Sequence, residues 1–235
     1  MFESIRKALS LGIPPQETHH PASTEDVALW AAAQRAVLDP DDVPGGYAIS
    51  GQAGGVSWRV ECGTPTRSYI PGMELRGGAE AGAPLEPAVM VLGRALQEQL
   101  EGEVFGQAAE PFVPEAPAPL HEEIRWLATC DEVAWEALPA SFLRHYAVLS
   151  RDVGWARRWV QPALVTRLMS GLPATSAVEE AGAPPAAQPL VLMLSGGNVY
   201  LRMSHATQTL KSLSHGVDLL TLAARTATRR VSATA

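Results

Sequence analysis

Cysteine is almost missing from this sequence: Cys62 and Cys130 are its only two. They allow at most one bridge, which excludes a disulfide framework and fits a reducing compartment. Long hydrophobic runs are missing too. No window approaches the roughly 18 apolar residues of a membrane-spanning helix, and Met1–Gly12 lacks the apolar stretch of roughly 7 to 15 residues that a signal peptide needs. A soluble cytoplasmic protein is expected. Lysine is limited to Lys7 and Lys211, beside abundant Ala, Gly, Pro and Arg, a bias that a GC-rich bacterial genome explains.

The signatures of catalysis are missing as well. There is no Gly-x-Ser-x-Gly nucleophile elbow. The glycine clusters Gly51-Gln52-Ala53-Gly54-Gly55 and Ser195-Gly196-Gly197 each fall between two strands, whereas a phosphate cradle falls between a strand and a helix, and neither carries the Lys-Ser/Thr of a nucleotide loop. They read as hairpin turns. His19 and His20 are adjacent but lack a third ligand, and His205 and His215 lie ten residues apart without a nearby Cys or carboxylate cluster. Glu122/Glu123, Asp131/Glu132 and Glu179/Glu180 are sequence neighbours that point apart on a strand. No catalytic residue, cofactor or metal site is expected.

What is present is an uneven charge. Residues 1–140 carry 8 Lys/Arg against 21 Asp/Glu, and residues 141–235 carry 10 against 4, so the net charge of −7 is the sum of −13 and +6. Such a split predicts either two faces that attract each other within the molecule or a basic surface kept for an acidic partner.

The 235 residues, 46% apolar, suffice for one large domain or two small ones. Two Pro-rich stretches, 106–121 and 171–189, are read as linkers or long loops, because proline removes backbone donors. The expected organisation is an N-terminal arm (1–22), an α+β subdomain (23–105), a linker (106–121), a second α+β subdomain (122–228) with a Pro/Ala-rich loop at 171–189, and a tail (229–235). In the arm, Phe2, Ile5 and Leu9 make a short amphipathic stretch.

Within the first subdomain, Ser23–Leu38 opens with a capping signal and is predicted helical. Tyr47–Ser50 and Val56–Cys62 predict a hairpin, which Arg67–Ile70 extends. Leu85, Val89, Leu92, Leu96 and Leu100 fall at steps of three and four and predict one helix over 84–104. In the second, Ile124–Thr129 and Phe142–Leu149 read as strands. Asp152 caps a helical segment through Leu172, interrupted at Pro162, which either kinks it or opens a second short helix at its first position. Leu190–Leu194 and Val199–Met203 form a hairpin, and Ser204 caps a last helix with a stripe of Ala206, Leu210, Leu213, Val217, Leu220 and Ala224. The fold class is α+β, with antiparallel hairpins packed on helices.

One constellation stands out. From Arg144 to Arg167 the only acid is Asp152, and Arg151, Trp155, Arg157, Arg158 and Trp159 combine the two residue types most common in interface hot spots. These five are the candidate interaction residues. The competing interpretation is that Trp155 and Trp159 face the core while the arginines face water. The acidic total argues against nucleic acid.

Arg67–Arg76 (RSYIPGMELR), following Val56–Gly63 (VSWRVECG), resembles a group of uncharacterised proteobacterial proteins with no assigned function. The resemblance implies a bacterial cytoplasmic origin and transfers no activity and no site residue. The expected function is therefore a non-catalytic interaction or assembly protein whose partner is a protein, either a second copy or another chain. One alternative is a secretion-chaperone-like binding protein, since such small acidic proteins also use helix, hairpin and helix units; this chain is longer and its C-terminal part basic. Another is an enzyme whose site gathers distant residues such as Arg59, Arg67, Glu74 and Arg76. A deep pocket around those four would favour the enzyme, and a flat patch would favour binding.

Overall fold

The computed structural model describes residues 21–82, 88–109, 122–172 and 189–228, with side chains described up to 103 in the second segment. Most of the arm, of the linker and of the Pro/Ala-rich loop, and all of the tail, lie outside the described residues. Helix α1 (Thr24–Ala33) begins where Ser23 and Asp26 close a reciprocal capping box. Then come β1 (Val37–Asp39), β2 (Tyr47–Ala53) and β3 (Val56–Gly63). The β2–β3 turn is Gly54-Gly55, with φ of 59° and 81°, a left-handed pair that glycine adopts without a Cβ clash. The strand that extends the β2–β3 hairpin is β4 (Glu74–Glu80), beyond Pro71-Gly72, and not Arg67–Ile70. Tyr69 and Ile70 instead anchor their loop in the core.

Val89–Gly93 is strand β5, and helix α2 (Arg94–Ala109) starts only after it. The sequence predicts one helix here because Val89 and Leu92 fit a helical stripe as well as a strand. All five β5 residues are buried, and a short apolar run covered on both faces has no period to separate the two readings. Ile124–Thr129 is likewise not a strand but part of helix α3 (Glu122–Thr129). After β6 (Asp131–Glu132), the expected strand over 142–149 divides into helix α4 (Ala140–His145) and strand β7 (Tyr146–Ser150). Phe142 and Tyr146, four residues apart, stack with ring centroids 5.3 Å apart across that junction.

Asp152 caps α5 (Val153–Trp159) by accepting from the Trp155 amide, and of the two outcomes expected at Pro162 it is the second that holds: Pro162 opens α6 (Pro162–Met169) at its first position. The hairpin β8 (Leu190–Ser195) and β9 (Asn198–Ser204) turns at Gly196-Gly197, with φ of 57° and 78°. Ser204 ends β9 opposite Glu74 and does not cap the last helix, α7 (Leu210–Thr228). There the Thr209 hydroxyl accepts from the Ser212 amide.

All nine described strands form one antiparallel sheet in the order β1-β2-β3-β4-β9-β8-β5-β7-β6. The two halves of the chain, expected to be separate subdomains, share it. The C-terminal hairpin lies between β4 and β5, pairing seven residues of β9 with β4 and four residues of β8 with β5. Neither half can complete its hydrogen-bond ladder without the other.

Helices lie on both faces. The first face packs Ile49, Val60, Leu75, Leu192 and Leu201 against α7, α5 and α6, where Leu213, Leu220, Trp159, Leu164 and Leu168 are buried. On the second face, Met90, Leu92, Ala147, Leu149, Val191 and Met193 of β5, β7 and β8 are covered by Leu96 and Leu100 of α2 and by Ile124 and Trp126 of α3. That cover stops at β8. No described helix of the molecule is long and apolar enough to cross a membrane.

Candidate functional site

Beyond β8 the second face carries polar side chains. Strand alternation and register put Ser57, Arg59 and Glu61 of β3, Glu74, Arg76, Gly78 and Glu80 of β4, and Asn198, Tyr200 and Arg202 of β9 on this side. The exposed half of the face meets the helix-covered half along Glu74, Arg202 and Glu123 of α3.

Along this face the charges alternate in sign. Asp42 pairs with Arg59, whose Nε lies 3.4 Å from Glu61. Arg76 reaches Glu61 at 2.8 Å and Glu74 at 3.7 Å, and Arg202 reaches Glu74 at 2.5 Å and Glu123 at 3.6 Å. Arg67 closes the series 3.2 Å from Glu123. Four guanidinium groups thus face four carboxylates, and the network neutralises itself. Arg202 belongs to the basic part of the chain and its partners to the acidic part, so some of the charge asymmetry is satisfied internally.

Two of these carboxylates are fully buried, Glu74 and Glu123. A buried ionised carboxylate persists only when its lone pairs are filled. Glu74 accepts from the Thr66 amide at 2.7 Å and the Thr66 hydroxyl at 2.9 Å as well as from Arg202. Burial pushes its carboxyl up, but the Thr66 amide and Arg202 outweigh it and hold the group below the usual glutamate range. Glu123 accepts from Tyr69 at 3.0 Å, and burial followed by this carboxylate pushes the Tyr69 phenol far above its ordinary value. With its carboxyl held low and its lone pairs filled, Glu74 is locked in place and not poised for proton transfer at neutral pH.

Nearer the exposed end, the Gly77-Gly78 segment of β4 makes a trough. Gly78 contributes no side chain, while Arg59 on β3 and Tyr200 on β9 stand on either side of it. Tyr200 is 42% exposed, one of four large apolar or aromatic side chains that are strongly exposed among the described residues. Two shallow grooves of about 250 and 310 Å³ share Arg59, Gly78 and Tyr200. The first runs toward Ser57, Glu80 and Asn198, the second toward Glu61, Arg76 and Arg202.

Arg59, Arg67, Glu74 and Arg76, which the sequence offers as a distant constellation, are brought together in this network, under an open trough and not a deep pocket. The sequence does not single out Tyr200, Arg202 or Glu123. Tyr200 and Arg202 are legible there only as outward positions of the C-terminal hairpin, and Glu123 is hidden because its helix reads as a strand.

The Arg/Trp set is divided. Trp159 is buried, and its Nε1 donates to the Ala223 carbonyl at 3.0 Å, so it belongs to the core and not to a binding face. Trp155 is half-buried, with the Arg158 guanidinium 4.3 Å above its ring. Arg151 is exposed and donates to the Thr129 carbonyl at 2.9 Å. Arg157 is exposed beside a groove of about 390 Å³ formed with Trp135, Leu138 and Val165. Helical geometry explains the division: Trp159 shares the inward side with Ala156, and Arg157 points the other way.

Among the described residues, a Ser and a His meet at His205 and Ser212, with Nδ1 3.0 Å from Oγ. Burial lowers that imidazole to about 4, which makes it a weak base at neutral pH. No three His, Cys, Asp or Glu side chains among the described residues gather as a metal-ligand set. The chain matches no protein-family model, no curated protein and no solved structure.

Proposed function

We propose that this chain is a non-catalytic interaction protein that binds a protein partner through the open half of its sheet. The observation that carries this reading is the half-covered second face: helices seal β5, β7 and β8, while β3, β4 and β9 present a shallow trough beside the exposed Tyr200. Pairing supports binding over catalysis, since Glu61, Glu74 and Glu123 are each held by arginine. Shallow, open relief with an exposed aromatic and arginines is the makeup of an interaction surface.

Affinity capture from native lysate with mass spectrometry tests it. Wild type should retain a specific protein that Tyr200→Ala with Arg59→Glu loses while remaining folded. Undiminished capture by that double variant overturns the open face as the site. A parallel Arg157→Glu, Arg158→Glu variant tests the α5 surface; loss of capture there alone moves the site to α5.

A further inference from the structure

Two adjacent glycines of β4 differ in a way that backbone geometry does not require. A Cβ at Gly77 would lie 2.7 Å from the Arg59 carbonyl oxygen and from Val60, and 3.1 Å from Leu220 of α7, so the core dictates glycine there. At Gly78 the nearest atoms would be the Tyr200 ring and the Val199 carbonyl oxygen, all at 3.8 Å or beyond, which is ordinary contact. Its φ is not in the left-handed region. Glycine in a strand interior weakens the strand and often marks a place where something approaches the backbone closely. Neither packing nor φ asks for glycine at 78. What its missing side chain does is leave the trough open.

We infer that this trough is a receptor for an aromatic side chain of the protein partner, laid over Gly78 between Tyr200 and Arg59. The inference rests on the reading of the open face as protein-binding. Arg59 and Tyr200 both lie opposite Gly78, so the backbones that carry them are two strand spacings apart, roughly 9 to 10 Å. A planar ring stacked between two neighbours needs about 3.5 Å on each side, so one ring fits and a second does not. Charge narrows the occupant further. Arg59, Arg76 and Arg202 around the trough are answered by Asp42, Glu61 and Glu74, so neither a polyanion nor a polycation is favoured. What the site offers is the Tyr200 ring, the Arg59 side chain and bare backbone, a combination that attracts a neutral π-system by aromatic contact on one side and by cation–π contact on the other.

The test uses the full chain, isotope-labelled, titrated with N-acetyltryptophanamide and, as an aliphatic control, N-acetylleucinamide. The tryptophan amide should shift the backbone signals of Arg59, Gly78 and Tyr200 at millimolar concentration, and the leucine amide should bind about tenfold more weakly. Gly78→Leu, which fills the trough from a position where a Cβ is tolerated, should keep the dispersed spectrum and lose these signal changes. Equal binding by the two amides, signal changes confined to other surfaces, or unchanged binding by Gly78→Leu each overturns the inference. Partner capture separates the two proposals. A Gly78→Leu protein that loses the tryptophan amide yet captures the partner undiminished overturns the trough as the partner's site while the interaction reading survives elsewhere. A wild type that binds the tryptophan amide in the trough and captures nothing specific sinks both the interaction reading and the assignment of the ring to a protein.

Discussion

The second face of the sheet is two surfaces in one. Over β5, β7 and β8 its residues are Met90, Leu92, Ala147, Leu149, Val191 and Met193, and helices α2 and α3 bury them. Over β3, β4 and β9 the same pleat presents Arg59, Glu61, Arg76, Tyr200 and Arg202, and no described helix covers it. Both halves share strand geometry and a continuous hydrogen-bond ladder, so the difference comes from side chains alone. Apolar groups gain about 25 cal/mol per Å² when helices remove them from water, whereas guanidinium and carboxylate groups would lose hydration under the same cover. Glu123 and Glu74 mark the seam, where ions are buried only because arginines and Thr66 satisfy them.

The largest expected effect comes from removing the hairpin that joins the halves. A chain ending at residue 172 lacks β8, β9 and α7. It should lose the dispersed amide spectrum throughout, not only near the deletion, because β4 and β5 would both become bare edges. A dispersed, cooperatively unfolding fragment would show that the two halves are separable units after all.

At the seam, Glu123→Ala leaves Arg67, Arg202 and the Tyr69 hydroxyl without their shared partner. Breaking a buried ion pair from one side costs about 3 to 5 kcal/mol, read from denaturant midpoints. On the covered half, Leu92→Ala should cost about 2 to 5 kcal/mol through lost burial and a cavity. A Glu123→Ala cost below that of ordinary surface changes would mean that the seam is hydrated.

Acid should weaken the molecule in a defined window. Burial lowers His205 from its ordinary 6.5 to about 4, so the unfolded chain binds this proton more readily than the folded one between those values. Its contribution is fully present above pH 6.5 and declines as pH falls from there through 4. A tenfold change in proton affinity is worth about 1.36 kcal/mol, which gives about 3 kcal/mol in total. His215 is lowered too, chiefly by burial, and adds to the same slope. His205→Gln should flatten part of the rise in stability from pH 4 to 6.5, and an unchanged slope would show that His205 is not the group responsible.

Local signals are legible in the sequence and global ones are hidden. The two Gly-turn hairpins, the Ser23 and Asp152 caps and Pro162 at a helix start each depend on a few adjacent residues, and the structure carries them as expected. Val89–Gly93 misleads because a short apolar run fits either period and the arbiter is what covers it, and Ile124–Thr129 misleads because six residues are too few for a helical period to stand out. The interleaving of the halves depends on where β8–β9 inserts, which no local pattern encodes. For the site, Arg59, Arg67, Glu74 and Arg76 can be named from the sequence, but Glu123, the partner of Arg67, and Arg202, the partner of Glu74, come from the other side of the linker and become visible only in the fold.

The smallest effects should separate the two sides of a single strand. Gly77 points to the helix-covered first face and Gly78 to the open half of the second. Gly77→Ala drives a methyl group to 2.7 Å from backbone and Val60, and overpacking of this kind costs about 1 to 3 kcal/mol. Gly78→Ala places its methyl at ordinary contact distance from Tyr200 and restricts the unfolded chain, so it should be neutral or stabilising by up to about 1 kcal/mol. Thermal melts of the two variants beside wild type measure both. If Gly78→Ala destabilises as much as Gly77→Ala, then glycine is needed at both positions for folding, and the bare backbone of the trough is a structural necessity with no bearing on what binds there.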